Sequence, residues 1–276
     1  MSSNLILDEE KIVKDIIEHN TYDKENIETY HALSIIVKYY YLQGMRKESE
    51  IRYKVLDLFE SMDEYFIITK WNKTVEKITK SLLKRMKFFN NELELIKVEQ
   101  VKIYSKELEY LNNIKSIQIR KILFICLIYA KIFKEMKRSD KGWFNLKSFS
   151  KILKLAKCKV GNEDYRLDLL GELKQKKYIM VRKKNGNYII KIDFINDIET
   201  EDNKLVMVIE DFENAIYQYL NYLGGNWKQC ECEGCNKYFK QKSKKPQKYC
   251  VSCAKKIDRE KAKVRFKNTK KVKSTI

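Results

Sequence analysis

The sequence predicts a mainly α protein with three parts: an N-terminal helical bundle, a winged helix-turn-helix-like middle with a β-hairpin, and a small C-terminal zinc module. Three observations carry this expectation. Proline occurs once and glycine eight times in 276 residues, while Lys, Glu, Leu and Ile abound, a balance that favours helices. Apolar residues recur at helical spacing through most of the first half. Two Cys-x-x-Cys pairs, Cys232/Cys235 and Cys250/Cys253, stand close together near the C-terminus. The expected divisions are 1–113 for the bundle, 114–197 for the winged-helix-like part, 198–227 for a linking strand and helix, and 228–276 for the zinc module and its basic tail.

The first helix starts behind Asp8, whose side chain suits an N-cap, and carries Ile12, Val13, Ile16 and Ile17 at helical spacing. A second helix, about 28–41, turns Leu33, Ile36, Val37 and Tyr40 inward, with Gly44 placed to end it. A third, about 47–62, carries Ile51, Val55, Leu58 and Phe59, and a fourth, about 72–89, carries Val75, Ile78, Leu82 and Leu83. Short loops between them imply antiparallel neighbours in a bundle. Residues 91–113 read equally as strand or helix edge, followed by a short helix from about 106.

The middle is better patterned. A long apolar helix is expected over 117–136, a short strand over Trp143–Leu146, a helix over 147–156, and another over 163–177 behind Gly161 and Asn162 with Leu167, Leu170 and Leu173 inward. Asn185-Gly186 then joins two β-rich runs. Asn-Gly is a strong hairpin signal because both central residues of a type I′ turn need positive φ. The order helix, strand, helix, helix, hairpin resembles that of the winged-helix superfamily. Residues 196–204 are acidic and polar and read as a linker or exposed loop. Leu205–Ile209 reads as a strand. Asp211 is placed to cap a helix over 212–223, which Gly224-Gly225 ends.

Zn²⁺ favours a closed tetrahedron of four sulfur or nitrogen ligands, and each Cys-x-x-Cys turn offers two thiolates to one ion. The expected ligands are therefore Cys232, Cys235, Cys250 and Cys253, and the expected cofactor is Zn²⁺. Asn236 is expected to take a left-handed conformation behind the first pair. Tyr238 and Phe239 are expected to cover the metal, and a helix is expected from about Ala254. Cys230 stands open to two readings, an alternative ligand or a spare thiol. Cys126 and Cys158 fit core positions. Five cysteines within Cys230–Cys253 suit a metal site in a reducing compartment better than a disulfide framework. The two histidines, His19 and His31, have no Cys or acid cluster at motif spacing and read as surface residues.

Cys-x-x-Cys, Tyr-Phe, basic loop, Tyr-Cys-x-x-Cys and basic helix together resemble the treble-clef or ribbon-like zinc modules of many phage and mobile-element proteins. The order of the whole chain resembles uncharacterised proteins of phages and integrated elements in low-G+C Gram-positive bacteria. That resemblance implies a zinc module beside a winged-helix-like domain and no activity.

Charge points to the partner. The chain carries a formal +19. Residues 228–276 hold 17 Lys/Arg against 4 Asp/Glu, and so concentrated an excess suggests a polyanion, DNA before others. Candidate phosphate contacts in the module are Lys242, Lys244, Lys245, Lys248, Lys255, Lys256, Arg259, Lys263 and Arg265. In the hairpin they are Arg182, Lys183 and Lys184. The helix over 163–177 is less suited, because Asp164, Asp168 and Glu172 line one of its faces. The expected function is a zinc-containing DNA-binding protein of the cytoplasm, such as a phage or mobile-element transcription regulator or replication accessory factor. The alternative is an interaction or inhibitor protein acting on host machinery such as RNA polymerase or a defence complex. No Gly-rich phosphate loop, His-based metal motif or nucleophile elbow marks an enzyme, although clustered acids leave a metal-dependent nuclease open. No apolar run reaches the roughly 18 residues a membrane span needs.

Overall fold

The computed structural model describes residues 7–88, 94–136, 141–241 and 247–273, omitting the side chains of 86–88 and 264–273. The chain divides into two compact units. One comprises Met1–Val101, Ala130–Lys147 and Arg182–Lys191; the other comprises Lys102–Tyr129, Ser148–Val181 and Ile192–Ile276.

In the first unit, α1 (Glu9–His19), α2 (Thr29–Leu42), α3 (Glu48–Met62) and α4 (Ile68–Phe88) form the bundle. Asp8 Oδ1 accepts the Lys11 amide at 2.8 Å and so caps α1. α2 buries Ala32, Leu33, Ile35, Ile36, Val37 and Tyr41, more than one stripe, because it packs against α1, α3 and α4. α3 buries Ile51, Val55, Leu56 and Phe59 along one face, and α4 adds Val75, Ile78 and Leu82. α4 starts earlier than the sequence implies. Asp63 makes a turn by accepting the Tyr65 amide at 3.0 Å, and Phe66 stacks on Trp71 with centroids 6.1 Å apart. Glu9, although buried, pairs with Lys38 at 2.6 Å and accepts the Ile96 amide at 2.9 Å, which satisfies its charge.

The same unit contains most of a three-stranded sheet of β2 (Trp143–Leu146), β3 (Met180–Lys184) and β4 (Asn187–Lys191), in the order β2-β4-β3. Trp143 pairs with Lys191 and Leu146 with Tyr188 in antiparallel register. Asn185 and Gly186 have φ of 50° and 75°, as a type I′ hairpin requires.

In the second unit, β1 (Val101–Tyr104) pairs with β5 (Leu205–Ile209), so the ambiguous stretch contains a strand, followed by α5 (Ser105–Asn112). α6 (Ile117–Glu135), whose residues from Ala130 onward belong to the first unit, buries every residue from Ile122 to Phe133, which makes it a core helix. α7 (Ser150–Leu155) begins later than expected, where Ser148 Oγ accepts the Ser150 amide at 3.2 Å. α8 (Glu163–Gln175) is capped by Asn162, whose Oδ1 accepts the Tyr165 amide at 3.0 Å. Its inward face is Leu169, Leu170 and Leu173. Leu167 is 46% exposed, since it lies off that stripe.

The acidic segment 196–204 is anchored instead of hanging free. The carboxylate of the fully buried Glu107 accepts the Tyr104 and Asn196 amides, both at 2.9 Å. The buried Asn203 side chain donates to Ile198 O at 2.7 Å and accepts the Lys106 amide at 3.1 Å. Asp211 Oδ1 accepts the amides of Glu213 and Asn214 in a turn, so α9 (Ala215–Tyr222) starts three residues later than expected. β6 (Trp227–Gln229), β7 (Tyr238–Lys240) and α10 (Val251–Lys273) complete the chain.

Candidate metal centre and basic surface

The module grows out of a short antiparallel ladder. Trp227 faces Lys240 and Gln229 faces Tyr238, and the Cys230 amide extends the ladder to Lys237 O at 2.9 Å. The chain then reverses. The Cys235 amide donates to Cys232 O at 3.0 Å, and Gly234 supplies the positive φ, 71°, that this turn needs. Asn236 is not among the positive-φ residues. The left-handed position lies inside the Cys-x-x-Cys turn, where glycine meets it without strain, and not behind it.

The second pair sits at the start of α10. Cys250 immediately precedes the helix, Cys253 lies in its first turn, and the Ala254 amide returns to Cys250 O at 2.9 Å. Side chains three apart at a helix start share one side, so both sulfurs face the ladder. α10 begins earlier than the expected Ala254.

The sulfurs of Cys230, Cys235, Cys250 and Cys253 all lie within 4.8 Å of one another, a group able to hold a metal ion. Cys235 Sγ and Cys250 Sγ are 3.9 Å apart. Four sulfurs at about 2.3 Å from a central Zn²⁺ would stand about 3.8 Å apart along each tetrahedral edge, so that pair matches. Three of the four expected ligands are brought together: Cys235, Cys250 and Cys253. In the position the spacing assigns to Cys232, the structure places Cys230, whose Sγ accepts the Cys250 amide at 3.3 Å. Cys232 is half-buried and packs against the same cluster, close enough for its thiol to act on that of Cys253.

Electrostatics within the group favours a cation. Ser252 Oγ, 3.1 Å from Cys250 Sγ, and the Cys253 amide pull the Cys250 thiol down to about 6. Hydrogen bonds to the neighbouring sulfurs of Cys235 and Cys250 favour the protonated thiol of Cys253 and push it up. Several adjacent thiolates become stable together only around a positive ion.

Phe239 packs on the cluster, as expected of a covering residue. Tyr238 does not. It stacks on Tyr217 of α9 with centroids 4.4 Å apart, and Trp227 tilts against the same ring at 5.0 Å. Asn221 completes this seat, with Oδ1 accepting the Trp227 amide at 2.7 Å and Nδ2 donating to Trp227 O at 2.9 Å. Tyr217 and Asn221 thus fix the module on α9. No local sequence signal marks them, since their partners come from another segment.

Lys248, Lys255, Lys256, Arg259 and Lys263 are exposed. Lys248 stands 4.0 Å from Glu231, which Lys228 approaches to 2.7 Å. Lys242, Lys244 and Lys245 and the Arg265 side chain lie outside the described residues. In the hairpin, Arg182, Lys183 and Lys184 are exposed. The Arg182 guanidinium lies 5.1 Å from the Trp143 ring centroid, and the Lys183 ammonium 5.7 Å from that of Tyr188, so aromatic faces steady both cations. Asp164 and Asp168 of α8 are exposed, while Glu172 pairs with Lys176 at 2.6 Å. Among the described residues, no helix is long and apolar enough to cross a membrane.

Comparison with protein-family models, curated proteins and solved structures finds no match.

Proposed function

We propose that this protein binds DNA through a zinc-ordered basic C-terminus. The observation that carries this reading is the junction of the four-sulfur group with α10. That helix runs for 23 residues, about 34 Å, and its described basic side chains are all exposed. Lys255, Arg259 and Lys263 recur every fourth residue and form one stripe. Between Ala254 and Lys263 the one large apolar side chain is Ile257, and a lysine and arginine stripe suits phosphates. Four thiolates are the soft donor set that favours zinc over magnesium or calcium.

The order α6, β2, α7, α8, β3, β4 and the sheet order β2-β4-β3 support a winged-helix reading of the middle of the chain. The acids on α8 argue that its DNA contact runs through the hairpin cations and not through α8. The role is one of binding, as in a mobile-element regulator or replication accessory factor.

The test is fluorescence anisotropy on duplex DNA with zinc-loaded full-length protein across a salt series. Affinity should fall steeply with salt. Replacing Lys255, Arg259 and Lys263 together by alanine should reduce the slope of log K against log salt by about 2 to 3, roughly 0.9 per phosphate contact. An unchanged slope refutes the α10 assignment.

A second reading is favoured by the bundle surface, where Tyr53, Tyr65 and Ile67 are 71%, 81% and 56% exposed. These suit a protein partner, and pull-down from nuclease-treated lysate separates the two readings. A stoichiometric protein partner without DNA affinity favours the second.

A further inference from the structure

Five sulfurs stand where a tetrahedral ion takes four. Two local geometries compete for the last position. The backbone favours Cys232: the turn closed by the Cys235 amide on Cys232 O is the Cys-x-x-Cys knuckle, which offers both of its own thiolates to one ion. The side chains favour Cys230. Its sulfur lies within the mutual 4.8 Å of the other three and already accepts an N–H from Cys250, a bond that stabilises a thiolate. Cys232 is not remote. It packs on the same cluster. One residue, Glu231, separates the contenders, and its amide is held by Lys248 O at 2.9 Å.

We infer that Cys230 and Cys232 alternate as the fourth ligand, so that the loaded module always carries one reserve thiol against a filled shell. This rests on the reading of the cysteine group as a metal site. The exchange balances without oxidant or reductant. The incoming thiol gives its proton to solvent, the outgoing thiolate takes one back, and the shell holds four thiolates before and after. A bound Zn²⁺ would accommodate such an exchange because it has no d-electron geometric preference. The reserve thiol gives a competing thiol-bearing acceptor a path to the ion that a closed four-cysteine site lacks.

Alkylation of the zinc-loaded full-length protein with limiting N-ethylmaleimide tests this, with labels located by fragmenting the peptide between Lys228 and Lys237. Metal content is measured in parallel. Expected is one rapid label per chain within Cys230–Cys253, divided between Cys230 and Cys232, with one zinc retained. Cys230→Ser and Cys232→Ser should each retain one zinc and lose the rapid label, because the remaining thiol is recruited into the shell. Cys235→Ser should lose metal affinity. A label confined to Cys232 or to Cys230, or loss of zinc from either of the first two variants, overturns the exchange and establishes one fixed shell. A wild-type protein that holds no zinc, with all five thiols labelled alike, instead overturns the metal reading and the exchange with it.

Discussion

The helical bundle and the cysteine module reach order by different physics. The bundle encloses Ile16, Leu33, Ile36, Ile51, Val55, Phe59 and Val75, each no more than 1% exposed, with many partly buried neighbours. Burying one such side chain yields about 1.5–3 kcal/mol, so a cluster of this size offsets the entropy of ordering its helices. Among the described residues, the module encloses Cys230, Cys250 and Cys253, with Cys232, Cys235 and Phe239 packed around them. Its strands are three residues each. Nothing of that size folds on apolar burial alone. The difference predicts that any dependence on metal lies in the basic end and not in the bundle.

Removing the metal should break this contrast most sharply if it is wrong. Structural zinc contributes on the order of 10–16 kcal/mol at neutral pH. A strong chelator should therefore expose 227–273 to protease and abolish DNA binding, with the bundle transition in calorimetry unmoved. A shift of that transition on chelation would mean that the two regions are not independent. The reciprocal experiment acts on the bundle. Phe59→Ala should destabilise it by about 3–5 kcal/mol, read from its melting transition, while metal content stays at one ion per chain.

What could be read in advance follows the same division. The bundle was legible because its determinants are local: helical spacing of apolar residues, Asp8 ahead of α1, Gly44 behind α2 with φ of 95°. The hairpin was equally legible, since Asn185-Gly186 determines its own turn. Contacts between distant segments were not. Glu107 joins Tyr104 to Asn196, and no pattern around either end foretells that a buried carboxylate holds the acidic segment in place. The cysteine spacing disclosed a group of sulfurs able to hold a metal ion. It left Cys230 open between alternative ligand and spare thiol, because spacing alone does not show that the amide of Cys250 meets its sulfur. The choice between Asn236 and Gly234 as the left-handed residue turned on where the chain reverses, which spacing alone leaves free.

Capping residues sharpen the comparison at a smaller scale. Asp8→Ala should cost the bundle about 1 kcal/mol by freeing the Lys11 amide. Asn162→Ala should cost the second unit a similar amount through the Tyr165 amide. Neither should change zinc stoichiometry. Denaturant melts of the two variants, followed by metal analysis, check both statements.

The smallest effect separates the regions along the pH axis. Asp63 accepts from Lys24 Nζ at 2.6 Å and from the Tyr65 amide at 3.0 Å, and these contacts hold its carboxyl below the ordinary range. A carboxylate with a depressed folded-state pKa contributes stability that is present above its unfolded value, near about 3.9, and is lost as pH falls through the folded value. Below neutrality, bundle stability should thus respond to this pair only in strong acid, and weakly, since Lys24 is largely exposed to solvent. Asp63→Asn should flatten that acid limb. The module should fail first. Each ligand must be a thiolate, so protons compete with the metal as pH falls from about 7. Zinc release followed with a chromophoric chelator, alongside helical circular dichroism, should show metal leaving at a higher pH than that at which the bundle melts. Simultaneous loss of both signals would mean that the bundle's stability is tied to the metal after all.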